Sequence, residues 1–330
     1  MDGDPAMAFT SPDFPIGYKL SAEEHAPLAL VEQARRAEEV GFSFAMISDH
    51  YHPWVDKQGQ APFVWSVLGG VAHATSRLVV GTGVTCPTLR VHPAIIAQAA
   101  ATTAAMLPGR FIFGVGTGER LNEHILGQHW PPTNVRRAML EEAIDLIRQL
   151  WSGEMTDFDG EYYTVENARL YTLPDELPPI FVAASGEQSA AAAGRIGDGY
   201  LGTAPDRTTI EAFARNEGQG KPRYGEITVC WAPTESEARR TALEVWPIAG
   251  LKGPLSSELL TPSQFEAASQ MVTEDMVAES VACGPDPQRH LELIRKYLDA
   301  GYHHVWVHQI GPDQEGFFRF YERDVLPKLR

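Results

Sequence analysis

Phe44-Ala-Met-Ile-Ser-Asp-His-Tyr-His-Pro-Trp54 opens as an apolar run of strand length and stops on an acid, an imidazole and a large aromatic. Four apolar residues in a row fit a strand buried on both faces, as in a parallel sheet. Such a strand needs neither Asp49 nor His50 nor Trp54 in order to pack. The cluster at its C-terminal end is therefore the first candidate for chemistry. What remains is whether the rest of the chain brings similar strand ends to the same place.

Outward from this stretch, strands and helices alternate. Ile16 to Leu20 reads as a first strand. Leu28 to Val40 reads as a helix, with Leu28 and Val31 on an apolar face, Arg35 and Glu38-Glu39 on a charged one, and Gly41 where a C-terminal cap belongs. Phe63 to Ala74 is helical, Arg77 to Val84 a third strand, His92 to Leu107 an alanine-rich helix and Arg110 to Gly118 a fourth strand. Thr133 or Asn134 caps the next helix, whose stripe is Met139, Ala143, Leu146, Ile147 and Leu150. Trp151 to Leu173 breaks the rhythm with short extended pieces. Strands resume at Ile180 to Ala184, Gly199 to Thr203, Ile227 to Trp231 and His304 to His308, separated by helices, with an irregular insertion from Pro247 to Pro287. This predicts an α/β fold, a (β/α)8 barrel with two insertions, one after strand four's helix and one around strand seven. No linker composition interrupts the 330 residues, so a single domain over 1–330 is expected, with 1–14 as a flexible tail.

A formal charge of −16 excludes nucleic acid and anionic membrane surfaces as partners. No apolar run reaches the roughly 20 residues of a membrane helix. The N-terminus lacks the pattern of a signal peptide. Cys86, Cys230 and Cys283 are scattered without a CxxC pair, which fits a reducing cytoplasm.

In a β/α barrel the site lies at the C-terminal strand ends. Those ends are Asp49-His50 and Trp54, Gly81 to Val84, Gly116-Thr-Gly-Glu119 followed by Asn122-Glu123, Ala184-Ser-Gly186, Thr203 and His308. Each has an ordinary reading alone: Asp49 caps a turn, His50 sits at a rim. Together they make a pocket lined by glycine and threonine that holds an imidazole, carboxylates and an indole. That composition suits an acid–base pair beside a flat ligand. Gly114-x-Gly116-x-Gly118 has the wrong spacing for a dinucleotide fingerprint, and no phosphate-loop motif occurs. His50-x-His52 has the spacing of a metal pair, but later strands end in serine, glycine and threonine, so no metal is expected.

At this point several stretches resemble one family. They are Gly17-Tyr-Lys, Ser48-Asp-His-x-x-Pro-Trp54, Gln60-Ala-Pro-Phe63, His92-Pro-Ala-Ile-Ile-Ala-Gln98 and Gly114-Val-Gly-Thr-Gly-Glu-x-Leu-Asn-Glu123. The chain resembles, over nearly its whole length, the coenzyme F420-dependent branch of the luciferase-like superfamily, nearest its glucose-6-phosphate dehydrogenases. The resemblance implies a hydride-transferring oxidoreductase with coenzyme F420, usually a homodimer. His50, Glu119 and Trp54 would be the catalytic side chains. Asp49, Gly83, Val84, Cys86, Thr117, Gly118, Asn122, Ser185, Gly186, Gln188 and Ser189 would bind the coenzyme. Gly83-Val84 matches a position where the family carries a cis peptide. Trp54, Thr203 and Lys252 would face the substrate.

One feature of the resemblance fails. The family holds a sugar phosphate with basic side chains, including a lysine just after the sixth strand and an arginine before the last helix. Here Asp206 occupies the first position and Asp275 to Gly284 contains no basic residue. An acid beside a phosphate, with no arginine, holds it poorly. The expected substrate is an uncharged alcohol, a hemiacetal or an activated double bond. An FMN-dependent monooxygenase of the same superfamily and a non-catalytic F420-binding protein are the rival readings.

Overall fold

The computed structural model describes residues 16–329, apart from 252 and 254. The expected tail, 1–14, and Lys252 therefore lie outside the described residues. In chain order the elements are β1 (Ile16–Leu20), α1 (Pro27–Val40), β2 (Phe44–Ile47), α2 (Val64–Ala74), β3 (Val79–Thr82), α3 (Pro93–Met106), β4 (Phe111–Val115), α4 (Arg120–Glu123) and α5 (Thr133–Leu150). Then come β5 (Thr156–Asp159), β6 (Thr164–Ala168), β7 (Ile180–Ala183), α6 (Glu187–Ile196), β8 (Gly199–Gly202), α7 (Arg207–Phe213), β9 (Arg223–Cys230) and α8 (Glu235–Val245). The chain closes with α9 (Leu255–Glu258), α10 (Pro262–Ala268), α11 (Glu274–Ala278), β10 (Ala282–Cys283), α12 (Pro287–Ala300), β11 (His304–Gln309) and α13 (Gln314–Phe320).

Strands β1, β2, β3, β4, β7, β8, β9 and β11 pair in that order, all parallel, and β11 pairs back to β1. The ring is the expected eight-stranded (β/α)8 barrel. Parallel neighbours need long crossovers, and the helices supply them. Strand side chains alternate between two apolar environments. Phe44 and Met46 point inward and meet Ile112, Phe181, Leu201, Tyr224 and Trp306, while Ala45 and Ile47 join the outer cluster under the helices. Burying each large apolar side chain contributes about 1.5–3 kcal/mol. Large and small residues interdigitate inside the ring: a Cβ on Gly17 would lie 2.3 Å from the Phe44 ring.

Four details differ from the sequence reading. Leu28 is 82% exposed, and α1 buries Leu30, Ala34, Ala37 and Val40 instead. Leu28 lies in the first turn and points outward, away from the i, i+3/i+4, i+7 stripe that starts at Leu30. The N-cap of α5 is Pro132, and neither Thr133 nor Asn134 caps it by a side-chain hydrogen bond. The strand expected from Ile227 starts at Arg223, because Tyr224 and Glu226 fill the barrel interior. The second insertion also contributes a ninth parallel strand, β10, whose Cys283 is the register partner of Cys230 beside the end of β9. The first insertion is the antiparallel hairpin β5–β6.

The second insertion builds its own apolar cluster over one side of the barrel mouth. Trp246, Phe265, Val272 and Val277 pack there with Trp54 and Val55. Trp54 meets Phe265 edge-on with ring centroids 5.2 Å apart.

Candidate active site

Strand β2 delivers Asp49 and His50 to the C-terminal mouth because its register with β1 and β3 aligns Ile47 with Leu20 and with Thr82. Both side chains are buried. Asp49 uses both carboxylate oxygens: Oδ2 accepts from Thr85 Oγ1 at 2.8 Å and Oδ1 from Arg90 Nη2 at 2.9 Å. The His50 ring lies 5.1 Å from the Trp54 ring. Its Nδ1 has an acceptor and a donor in reach, the His52 carbonyl at 3.1 Å and the Asn122 amide nitrogen at 3.2 Å. A protonated Nδ1 can thus donate to the carbonyl, and an unprotonated one can accept from the amide.

Strand β4 ends in a loop that approaches this pair. Gly118 adopts φ +77°. A Cβ there would sit 2.6 Å from Cys86 Sγ and 2.9 Å from Glu123 Cγ, so only glycine fits. Helix α4 follows and carries Asn122. Its Oδ1 accepts from the backbone N–H of Tyr51 at 2.8 Å and of His52 at 3.2 Å. Its Nδ2 donates to Glu119 Oε2 at 3.3 Å. One amide therefore links the two candidate acid–base groups, His50 and Glu119.

Several buried charged side chains of the mouth escaped the sequence reading. Glu23, just after β1, is fully buried with Oε1 3.4 Å from His50 Nε2, while its Oε2 accepts from the hydroxyls of Ser21 and Ser48. Burial would raise its carboxyl, but His50, Lys19 and the Ser48 hydroxyl outweigh burial and hold it at about 2. Lys19 Nζ pairs with Glu226 Oε1 at 3.0 Å inside the barrel, below the mouth groups Glu23 and Glu24. Burial would lower this ammonium, yet Glu226, Glu23 and Glu24 together raise it. His308, already expected at a strand end, lies with its Nε2 3.2 Å from Glu24 Oε1. The signal for Lys19 was present, a charged residue inside an apolar strand. Glu226 was hidden because the start of its strand was misplaced.

The remaining expected residues divide by place. Thr117, Gly118 and Glu119 are partly exposed on the mouth. Ser185, Gly186 and Gln188 lie exposed at the N-terminus of α6, with Ser189 half-buried behind them, and a Cβ on Gly186 would meet nothing within 4 Å. Gly83-Val84 is a cis peptide bond. Cys86 is buried behind the glycine loop, its Sγ 2.9 Å from Thr88 Oγ1. Thr203 is exposed and its carbonyl accepts from Tyr297 Oη at 2.8 Å. Asp206 caps α7 by accepting from Thr208 N at 2.9 Å and from the Thr209 hydroxyl. His52 Nδ1 turns to the Leu121 carbonyl at 2.9 Å, away from His50.

A separate cavity of about 690 Å³ opens at the opposite end of the barrel, among Leu107, Phe111, Trp151, Leu177 and Ile180. Its polar rim is already occupied: Arg148 pairs with Asp198, and Lys221 Nζ donates to the carbonyls of Gly194 and Gly197. The strand-end residues singled out in the sequence lie at the other end, so the C-terminal mouth is the candidate site. There the glycine-bordered loop after β4, the half-buried Gly83-Val84 edge and the open space before Gly186 leave room for a long flat coenzyme. The residues present fit the deazaflavin that the resemblance implies.

Residues 11–304 match the luciferase-like monooxygenase family. The F420-dependent glucose-6-phosphate dehydrogenase of Nakamurella multipartita is 38% identical over 97% of this chain and 98% of its own length. The enzyme so named from Mycobacterium tuberculosis is 36% identical over 96% of this chain and 98% of its own. Among solved structures, an F420-dependent secondary alcohol dehydrogenase in complex with an F420-acetone adduct superposes with a TM-score of 0.89 at 32% identity, covering 96% of this chain and 99% of that one. The coenzyme F420-dependent tetrahydromethanopterin reductase of Methanopyrus kandleri shares the fold, with a TM-score of 0.77 at 22% identity over 96% and 100% of the two chains.

Proposed function

The chain belongs to the luciferase-like monooxygenase family, alongside its F420-dependent dehydrogenases, and from that premise we propose how its mouth works as an F420-dependent oxidoreductase. The observation that carries the reading is Glu23 behind the His50 imidazole, with Asn122 holding the backbone beside that ring and donating to Glu119. When bound, F420 would supply the hydride acceptor, so the redox chemistry would be the coenzyme's. The side chains handle protons and orientation. With the proton on Nδ1 shared to the His52 carbonyl, His50 Nε2 is free to take the proton of a substrate hydroxyl. Glu23, held ionised, then stabilises the imidazolium at 3.4 Å. Glu119, oriented by Asn122, is the second acid–base group on the coenzyme side. Trp54, braced by Phe265 and Trp246, walls the substrate. Asp49, Gly83, Val84, Thr117 and Gly118 would border the coenzyme ring, and Ser185, Gly186, Gln188 and Ser189 would hold its phosphate end, with Cys86 supporting the loop from behind.

The substrate is an uncharged alcohol or hemiacetal, or an activated double bond in the reverse direction. Asp206 is committed to capping α7. The mouth carries Glu23, Glu24, Asp49, Glu119, Glu123 and Glu226 against Lys19 and Arg90, and an apolar cluster surrounds Trp54. Lys19 and Arg90 are each committed to carboxylates and neither is free for a phosphate. The protein acts as a cytoplasmic homodimer. Support for the dimer is the outer face of α2 and α3, two helices without a Lys, Arg, Asp or Glu, which exposes Phe63, Ile95 and Met106.

The test is a titration of purified protein with F420, FMN and NADP followed by ring fluorescence, then turnover with F420 on glucose 6-phosphate and on uncharged secondary alcohols. F420 alone binds tightly, and the alcohols are oxidised faster than the sugar phosphate. Binding of FMN in place of F420 would discard the mechanism. Rapid turnover of glucose 6-phosphate would discard the substrate assignment alone.

A further inference from the structure

Beside the groups used above, the mouth holds a buried trio that the mechanism does not need for proton transfer. Arg90, in the loop after β3, stands between Asp49 and Glu123, and all three side chains are almost fully buried. Glu123 grips Arg90 twice: Oε2 accepts from its backbone N–H at 2.8 Å and Oε1 lies 3.5 Å from its Nε. Arg90 in turn donates through Nη2 to Asp49 Oδ1 at 2.9 Å. Glu123 shares α4 with Asn122, which holds the backbone of Tyr51 and His52. One helical turn thus fixes the β2 end from two sides, through Asn122 on the His50 flank and through Glu123 and Arg90 on the Asp49 flank.

We propose that Glu123, acting through Arg90, is a positioning residue that sets Asp49 and the β4 loop against the coenzyme and makes coenzyme affinity depend on its own charge. Buried ion networks of this kind stabilise a fold less than an apolar filling of the same shape would. Their location here, touching the proposed coenzyme residue Asp49 and the Gly118 turn, points to geometry as their use. Gly118 is pressed between Cys86 and Glu123, so a shift of Glu123 moves the loop that presents Glu119. The groups facing Glu123 are Arg90 and Cys86 from the loop after β3, Asp49 after β2, Glu119 from one turn earlier and Tyr163 from the β5–β6 hairpin, whose hydroxyl burial keeps neutral. Burial pushes its carboxyl up to about 7, against the pull of Arg90 and with the push of Asp49 and Glu119. The Cys86 thiol, raised well above its ordinary value by burial, is neutral throughout. Below neutrality Arg90 and Asp49 balance each other. Above it, a second carboxylate claims Arg90 and adds negative charge beside an anionic ligand.

This inference rests on F420 as the coenzyme. The test is the F420 dissociation constant, by fluorescence without substrate, between pH 6 and pH 8 for wild type, Glu123→Gln and Arg90→Lys. Wild-type affinity weakens across that range by roughly three- to tenfold more than that of Glu123→Gln, the scale of one added charge partly screened. Arg90→Lys keeps the charge but cannot bridge both carboxylates, so it weakens binding at both pH values. A melting curve of each variant guards against misfolding. Wild type that binds F420 with the same pH dependence as Glu123→Gln overturns the proposal alone, as does Arg90→Lys with unchanged affinity if Glu123→Gln does not fold. Wild type that binds no F420 at any pH overturns the coenzyme assignment and this proposal with it.

Discussion

Glu23 is where a single residue decides most. It is fully buried, and its ionised form is held by His50, Lys19 and two serines. Its carboxyl lies at about 2 in the fold against 4.5 as the ordinary value. A folded value below the unfolded one contributes stability above pH 4.5 that is lost as pH falls toward 2, on the order of 3 kcal/mol when complete. Glu23→Gln therefore unfolds at lower temperature than wild type at pH 7, with the gap closing toward pH 3, readable by calorimetry. In the mechanism it lowers kcat roughly 10- to 100-fold while leaving F420 affinity unchanged, since the carboxylate acts on the imidazolium and not on the coenzyme. Unchanged kcat would remove Glu23 from the acid–base unit. The sequence placed His50 and Glu119 at strand ends but could not place Glu23, because one acid in Ser21-Ala-Glu-Glu24 looks like a polar turn until β1 and β2 are set side by side.

At the scale of elements, the second insertion governs the substrate side. Helix α10 contributes Phe265, fully buried edge-on against Trp54. Phe265→Ala costs about 3–5 kcal/mol of stability. It also loosens Trp54, so KM for an uncharged alcohol rises several-fold more than the F420 dissociation constant does. Equal changes in both would mean that the insertion supports the whole mouth and not the substrate wall. The alternation of strands and helices was legible because burial on both faces writes continuous apolar runs. The insertion was not: its helices are short, and they are held by tertiary contacts with Trp54 and Trp246 more than by their own periodicity. The start of β9 was missed for a related reason, since Glu226 reads as a surface acid until Lys19 and Trp306 are seen to bind it inside the barrel.

At the scale of the whole molecule, a net charge of −16 leaves α2 and α3 as an unusual uncharged face. Met106 reaches over to α2, so a Cβ on Gly69 would meet its methyl at 3.8 Å and the two helices present one surface. The proposed dimer predicts that light scattering at micromolar concentration gives twice the chain mass and that Ile95→Glu halves it without loss of helical signal. A monomeric wild type would show that this face has another use. Among the described residues no helix is long and apolar enough to cross a membrane. What the sequence determined by itself was the barrel, the strand ends and most of the mouth. These depend on short-range signals: apolar runs, glycines and the residues that follow them. What only the tertiary structure decided was how those residues are electrically and sterically joined: Glu23 under His50, Asn122 between His50 and Glu119, and Arg90 between Asp49 and Glu123. Those pairings span up to 72 residues of chain, and nothing local in the sequence marks a partner that far away.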